Sequence, residues 1–396
     1  MSSLGLYLHV PFCQAKCGYC DFYSVAVSNR PTLPLVKAIV LELANRLADR
    51  PGPITTVFVG GGTPTVLAPG ELVELVRPLK EVVSSDRPAE FTVEVNPCTA
   101  DDAKLAVLTE AGVDRISMGA QSFHRPELHV LERIHAPEDI AEGVERCRKH
   151  SVERINLDLM FGIPGQTPAR WQESLQRAID LGVEHLACYG LTYEPGTRLT
   201  AERDCGRLVP CDEALEAEMY LTAIDDLAAA GYEQYEISNF AKPGQRCLHN
   251  LIYWRNEPYI GVGPSAAGYL NGIRTRNVSG IERYLRLIER DGHAVVDSER
   301  LTGPALAGET AMLLLRLNEG LGFEAFLSRT GIDARTAFAN STTAYAEMGW
   351  LTVTDRGIAL TRAGRLMADT IIADLIDEVN KPPGPNRSPK GMQRQV

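Results

Sequence analysis

Three cysteines within eight residues constrain this chain more than any other feature. They stand as Cys13-Gln-Ala-Lys-Cys17-Gly-Tyr-Cys20, spaced C-x3-C-x2-C, directly after the apolar run Leu6-Tyr-Leu-His-Val10. The spacing lets three thiolates fold round one inorganic centre. An odd count in so tight a loop suits disulfide pairing poorly. A structural zinc site wants four protein ligands, and no downstream C-x2-C partner appears. Thiolates are also ordinary ligands of iron–sulfur clusters. A four-iron cubane held by three cysteines leaves one iron open to an outside ligand. A zinc-binding or redox-sensing cysteine cluster is the competing reading of the same residues.

Along the chain, short apolar runs alternate with helical periodicity. Strands are predicted at Leu6 to Val10, Thr56 to Val59, Phe91 to Val95, Arg115 to Gly119, Ile155 to Met160 and from His185. Helical patterns lie between them, the first carrying Leu35, Val36, Ile39, Val40, Leu43 and Leu47. Nearly continuous apolar strands alternating with helices imply a parallel sheet buried on both faces. Six such units do not close an eight-stranded barrel. In barrel-like α/β folds, ligands sit at the C-terminal ends of the strands, and the distinctive polar residues cluster there. Gly60-Gly-Gly-Thr-Pro-Thr65 lets a backbone approach closely, or simply turns the chain. Glu94 and Asp158 are acids in apolar strands, which is costly unless they are paired. Gln121 follows the fourth strand and offers an amide. By itself, Arg133 reads as a surface helix charge.

Beyond Thr197 the alternation fades. A helix is predicted from Ala214 to Ala230, and a strand over Tyr235-Glu-Ile-Ser-Asn239. Residues 301–380 read as helices with a β-hairpin near Trp350 and Gly357, a winged-helix-like pattern. That segment carries 10 Asp or Glu against 6 Arg and no Lys, whereas a nucleic-acid reader should be basic. The tail 381–396 is proline-rich and reads as disordered.

With these residues in view, the chain resembles the radical S-adenosylmethionine (SAM) enzymes. The stretch Tyr7-Leu-His-Val-Pro-Phe-Cys13 through Cys20-Asp-Phe22 is similar to one branch of them, which holds the oxygen-independent coproporphyrinogen oxidases and the HemW-type heme chaperones. The resemblance implies an α/β fold, a partial (β/α)6 TIM-like barrel with a C-terminal winged-helix-like α+β domain. It implies a [4Fe–4S] cluster on Cys13, Cys17 and Cys20, with SAM on the open iron. In this family the backbone at Gly61, Gly62 and Thr63 takes the methionine amino group of SAM, and Glu94 takes the ribose hydroxyls. Gln121, Arg133 and Asp158 match further SAM contacts, with Arg133 suited to fork onto the carboxylate. Tyr7 and Tyr19 flank the cluster, while Thr192 and Ala267 fall on the adenine side. The reduced cluster of such enzymes passes one electron to the sulfonium, giving methionine and a 5′-deoxyadenosyl radical.

Downstream, His249-Asn-Leu-Ile-Tyr-Trp254 matches the H-N-x-x-Y-W signature of the chaperone branch. The resemblance makes His249 an axial heme ligand, with Tyr253 and Trp254 against the porphyrin. Taken alone, the same residues read as a satisfied histidine beside a core aromatic pair. The oxidases carry a further cysteine two positions after the third; here that position is Phe22. Two functions follow from the resemblance. One is a heme chaperone that delivers heme to acceptor proteins. The other is an oxygen-independent coproporphyrinogen III oxidase making protoporphyrinogen IX. A radical SAM enzyme with some other substrate is a third.

The bulk properties bound the rest. A length of 396 residues suggests more than one domain. The expected division is a barrel core over 1–200, an extension over 201–300 bearing the histidine motif, and the winged-helix-like domain over 301–380. A net charge of −11 argues against a broad nucleic-acid footprint. The start lacks a basic, apolar export signal, and nine cysteines then read as reduced thiols of a cytoplasmic protein. Six of them, including Cys98 and Cys247, read as scattered structural residues. The family also implies a one-electron donor such as a flavodoxin or ferredoxin, and is compatible with a homodimer and with peripheral membrane association.

Overall fold

The computed structural model describes residues 4–28 and 31–381. Met1 to Ser3 and residues 382–396 of the tail lie outside the described residues. The chain divides into two compact units, residues 1–253 with 257–300, and residues 254–256 with 301–396.

The first unit is built on six parallel strands: β1 (Gly5–Val10), β2 (Thr56–Gly61), β3 (Glu90–Val95), β4 (Arg115–Gln121), β5 (Arg154–Phe161) and β6 (His185–Gly190). Each pairs with the next in chain order. The helices α1 (Leu33–Ala48), α2 (Pro69–Asp86), α3 (Asp102–Glu110), α4 (Pro137–Lys149) and α5 (Pro168–Asp180) connect them. Helix starts follow local chemistry. Asp101 accepts the Lys104 N–H and Thr167 the Arg170 N–H, satisfying donors that the helices leave free. On α1, Leu35, Val36, Ile39 and Leu43 repeat at helical spacing and are all buried.

Successive side chains on a strand point to opposite faces, and here the two faces differ. Leu6, Leu8, Val57, Val59, Phe91, Val93, Ile116, Ile155, Leu157 and Leu186 join the apolar core with the helices. Burial of each such side chain contributes roughly 1.5–3 kcal/mol. Phe58, Thr92, Glu94, Ser117, Asn156, Asp158 and His185 line an internal cavity instead. The sheet is therefore buried on both faces, as the alternation implied, but only one of those faces is apolar. One face packs on helices, and the other keeps polar groups because it encloses a ligand-sized space.

The sheet is open and longer than the six units. On one side, β7 (Asn239–Ala241) runs antiparallel to β6, followed by a two-residue strand at Glu233–Gln234. Of residues 235–239, expected as a strand, only Asn239 lies in one; Glu236 forms an isolated bridge and the chain bends at Ile237 and Ser238. Glu236 accepts the Ser238 N–H at 3.1 Å and so holds that bend. On the other side, β8 (Tyr259–Val262) pairs with β1 as a seventh parallel strand. It is followed by the antiparallel strands β9 (Ala267–Leu270), β10 (Ile273–Asn277) and β11 (Val295–Glu299). The second unit packs helices on a small antiparallel sheet of Leu321–Gly322, Gly357–Leu360 and Leu351–Val353.

Candidate functional site

The cysteine loop is pinned where it leaves β1 and where it returns. Phe12–Cys13 pairs with Val25–Ala26, and the Val27 N–H reaches Cys13 O at 2.9 Å. Gly62 N–H and Thr63 N–H donate to Val10 O and Phe12 O at 2.9 and 2.7 Å, tying the loop to the glycine turn. Glycine is required there by the protein's own packing. Gly61 has φ +95°, and a Cβ on it would sit 2.3 Å from the His9 ring. His9 in turn bonds Tyr7 Oη through Nδ1 at 2.9 Å and Tyr23 O through Nε2 at 2.8 Å. The loop's middle is held too, since Gly18 donates to Leu131 O and accepts from Leu199 N–H.

Below the loop lies a cavity of about 490 Å³. Cys13, Cys17 and Cys20 all line it, together with Tyr19, Gly61, Gly62, Thr63, Glu94, Gln121, Arg133, Asp158 and Thr192. Tyr7, Ala267 and His249 do not belong to its wall. The three thiols are free and half-buried. Burial pushes the Cys13 thiol up and the Cys20 thiol up to about 11. Without a metal, Cys13 and Cys20 therefore hold their protons at neutral pH, and ligation would displace them. Three soft donors on one loop, opening into a shared space, fit a [4Fe–4S] cluster held by three cysteines. Among the described residues, no three His, Cys, Asp or Glu groups converge as a single-ion site does.

One of the groups below the thiols, Gln121, sits in strained backbone. Between Gly119 and Gln121 the β4–β5 register shifts, and Gln121 takes φ +64°. This bulge leaves Gln121 in the cavity wall rather than in the regular pleat. Glu94 accepts the Gly61 N–H at 2.9 Å. Burial, with the charge of Asp158, nevertheless raises its carboxyl to about 8. Burial raises Asp158 to about 6, opposed by the Asn156 amide at 2.8 Å and the charge of Arg133. Arg133 sits in the turn after the short helix Arg125–Val130, not on an exposed helix face. It donates from Nη2 to Gly119 O at 2.5 Å and from Nη1 to Cys17 Sγ at 3.4 Å. Its Nε is buried with no protein partner. A cation with an unspent donor beside two acids fits a ligand that bears both charge signs, as SAM does.

His249 stands apart from the cavity, fully buried on α7 (Leu248–Trp254), a helix that follows α6 (Glu213–Ala229). Its Nδ1 bonds Thr56 Oγ1 and its Nε2 bonds Tyr253 Oη, each at 2.8 Å. The ring stacks on Phe58 at 5.2 Å. Burial drives its pKa down to about 4, so the ring is neutral.

Sequence reasoning missed the pair that seats this helix. Glu90, fully buried, accepts from Arg115 Nε at 3.0 Å and from the N–H groups of Leu248 and His249 at 2.9 and 3.1 Å. Burial opposes its charge, yet Arg115 and those N–H groups hold it below the usual carboxylate range. Arg115 also reaches Gln245 O and Arg246 O. Cys247, read as merely scattered, bonds Glu90 and lines the cavity. Nothing local marks Glu90 and Arg115, which look like ordinary charges at strand starts.

A three-thiol loop over the open end of a parallel barrel is the arrangement of the radical SAM class. The Radical SAM superfamily model matches residues 7–178, and a HemN C-terminal domain model matches residues 301–367. The chain is 37% identical to the heme chaperone HemW of Bacillus subtilis over 376 residues, 94% of this chain and 99% of that one. It is 35% identical to the heme chaperone HemW of Mycobacterium tuberculosis over 378 residues, 94% of each chain. The coproporphyrinogen III oxidase HemN of Escherichia coli has the same fold, with TM-score 0.80 at 22% identity over 94% of this chain and 90% of that one. Within the radical SAM class, the chain belongs to the HemW family. Among the described residues, no helix is long and apolar enough to cross a membrane.

Proposed function

We propose that the chain is a heme chaperone of the radical SAM type. It holds a [4Fe–4S] cluster on Cys13, Cys17 and Cys20, binds SAM in the cavity beneath, binds heme, and passes heme to acceptor proteins. One observation carries the reading: likeness to proteins named heme chaperones runs over 94% of the chain. With the radical SAM match over residues 7–178, which holds the cysteine loop, it takes in the cavity wall and the α7 motif as well. Likeness to the oxidase is one of fold, and the oxidases' further cysteine is here Phe22, 61% exposed at the cavity.

When bound, the cluster and SAM supply one-electron cleavage of a carbon–sulfur bond. The chain's own groups bind and orient. The thiols give up their protons on ligation. Gly61, Gly62 and Thr63 present backbone to the ligand. Arg133 offers its remaining N–H groups to a carboxylate. Glu94 and Asp158 are poised to ionise when a cation arrives, because opposite charge favours the charged form. Tyr19 packs with Leu131, Met160, Ile163 and Leu191 and shields the loop from water.

For heme, His249 is the proposed ligand. Coordination through Nε2 requires its bond to Tyr253 to open. Tyr253→Phe removes that competing bond and keeps the ring, so heme affinity should rise several-fold. His249→Ala should abolish specific binding. Opposite or absent responses in heme absorbance titrations would remove His249 from the role. A cytoplasmic location, heme-accepting partners, a flavodoxin or ferredoxin donor, a homodimer and peripheral membrane contact complete the proposal. The deciding experiment is anaerobic cluster reconstitution followed by paired assays. Heme retention and transfer to an apo-acceptor, without coproporphyrinogen III turnover in the presence of SAM and reductant, is the expected result. Conversion to protoporphyrinogen IX would overturn it.

A further inference from the structure

We infer that Arg133 sets how readily the cluster on Cys13, Cys17 and Cys20 accepts an electron, acting as a positioning residue through Cys17. The inference rests on the cluster assignment above. It starts from one contact, Arg133 Nη1 donating to Cys17 Sγ at 3.4 Å. The guanidinium cannot drift from that sulfur. Its Nη2 is fixed on Gly119 O at 2.5 Å, and a side chain at Gly119 would crowd it, since a Cβ there would lie 3.2 Å from Nη2. The backbone of the same turn grips the cysteine loop independently, through the Gly18 N–H on Leu131 O, one residue past Cys17. Donor and sulfur are therefore registered to each other at two points.

The electrostatic consequence has a definite sign. Arginine stays charged at any working pH. A fixed cation that donates an N–H to a ligand sulfur favours the more negative, reduced state. Hydrogen bonds to the sulfurs and outer-shell partners are levers on cluster potential. The other nearby cation, Lys16, donates to Phe22 O from an exposed position, where solvent screens it. Arg133 also bears on Cys13 and Tyr19 through its charge. A guanidinium has five N–H groups, and only two are spent on protein, so a role toward the SAM carboxylate is not displaced.

The test compares Arg133→Met, which loses charge and donors, with Arg133→Gln, which keeps an N–H. Both are reconstituted anaerobically without SAM, which removes any effect through its carboxylate. Iron and sulfide content are matched to the parent protein, and circular dichroism checks the fold. The readout is the midpoint of a dithionite titration followed by electron paramagnetic resonance. The step is a one-electron reduction of the cluster by the sulfur dioxide radical anion that dithionite releases, which is itself oxidised to sulfite; no bond of the cluster is made or broken. The Met variant should shift the reduction equilibrium at least tenfold toward the oxidised form, about 59 mV for a one-electron couple. The Gln variant should shift it less. An unchanged midpoint in either cluster-loaded variant overturns the inference. So does a folded protein that loses its cluster in both, since Arg133 then serves retention. A parent protein that takes up no cluster fails the cluster assignment itself, whereas a midpoint indifferent to Arg133 leaves that assignment standing.

Discussion

At the scale of single residues, the cavity's acids behave unlike surface carboxyls. Burial raises the Glu94 carboxyl to about 8 in the folded protein, from an ordinary value of 4.5. Across that window the folded chain binds a proton that the unfolded chain releases, so stability falls as pH rises from about 4.5 to 8. Asp158 adds the same sign up to about 6. Glu94→Gln should flatten this slope, as seen in denaturant midpoints across pH 5 to 8 (a window of roughly three units). An unaltered slope would mean that water already solvates the carboxylate. Glu94 and Asp158 were legible in the sequence because an acid in an apolar strand breaks a pattern. So were the cysteines, whose spacing is local. Arg133 was not legible without a family resemblance, because its partners Gly119 and Cys17 lie 14 and 116 positions away.

At the scale of elements, the helix of the histidine motif depends on Glu90 more than on its own sequence. Seven residues make a marginal helix in isolation. Two of its first N–H groups end on a buried carboxylate, and Arg115 holds the preceding carbonyls. Glu90→Ala would strand Arg115 in the interior, a loss of about 3–5 kcal/mol for breaking a buried pair. Chemical denaturation should register that loss, and hydrogen exchange should show the helix amides opening. Retained exchange protection would place the anchor elsewhere. Most strands and helices were readable from alternation and periodicity. The bend at 237–238 was missed because Tyr and Ile suggest an unbroken strand, while Glu236 holds the Ser238 N–H. Strands β8 to β11 went unseen because they are short and glycine-punctuated, and their pairing is decided by distant partners.

At the scale of the whole molecule, the fold class was legible because strand–helix alternation admits few architectures. The extension of the sheet past β1 was not, because no local pattern reports which strand fills an edge. Yet β8 supplies four residues of pairing to β1, the strand that feeds the cysteine loop. A chain ending after residue 256 should therefore expose β1 as a sheet edge. It should purify as aggregate or take up little iron, by size-exclusion chromatography and iron assay. A soluble truncation with full cluster content would show that the first strand needs no neighbour on that side.

The position of β8 also carries a consequence for synthesis. The cysteine loop follows β1 directly, but β8, the neighbour that completes this supporting strand, is made only after β2 to β7. Until then a nascent chain carries the three thiols on an unfinished scaffold. On the cluster assignment proposed above, durable insertion therefore waits for β8.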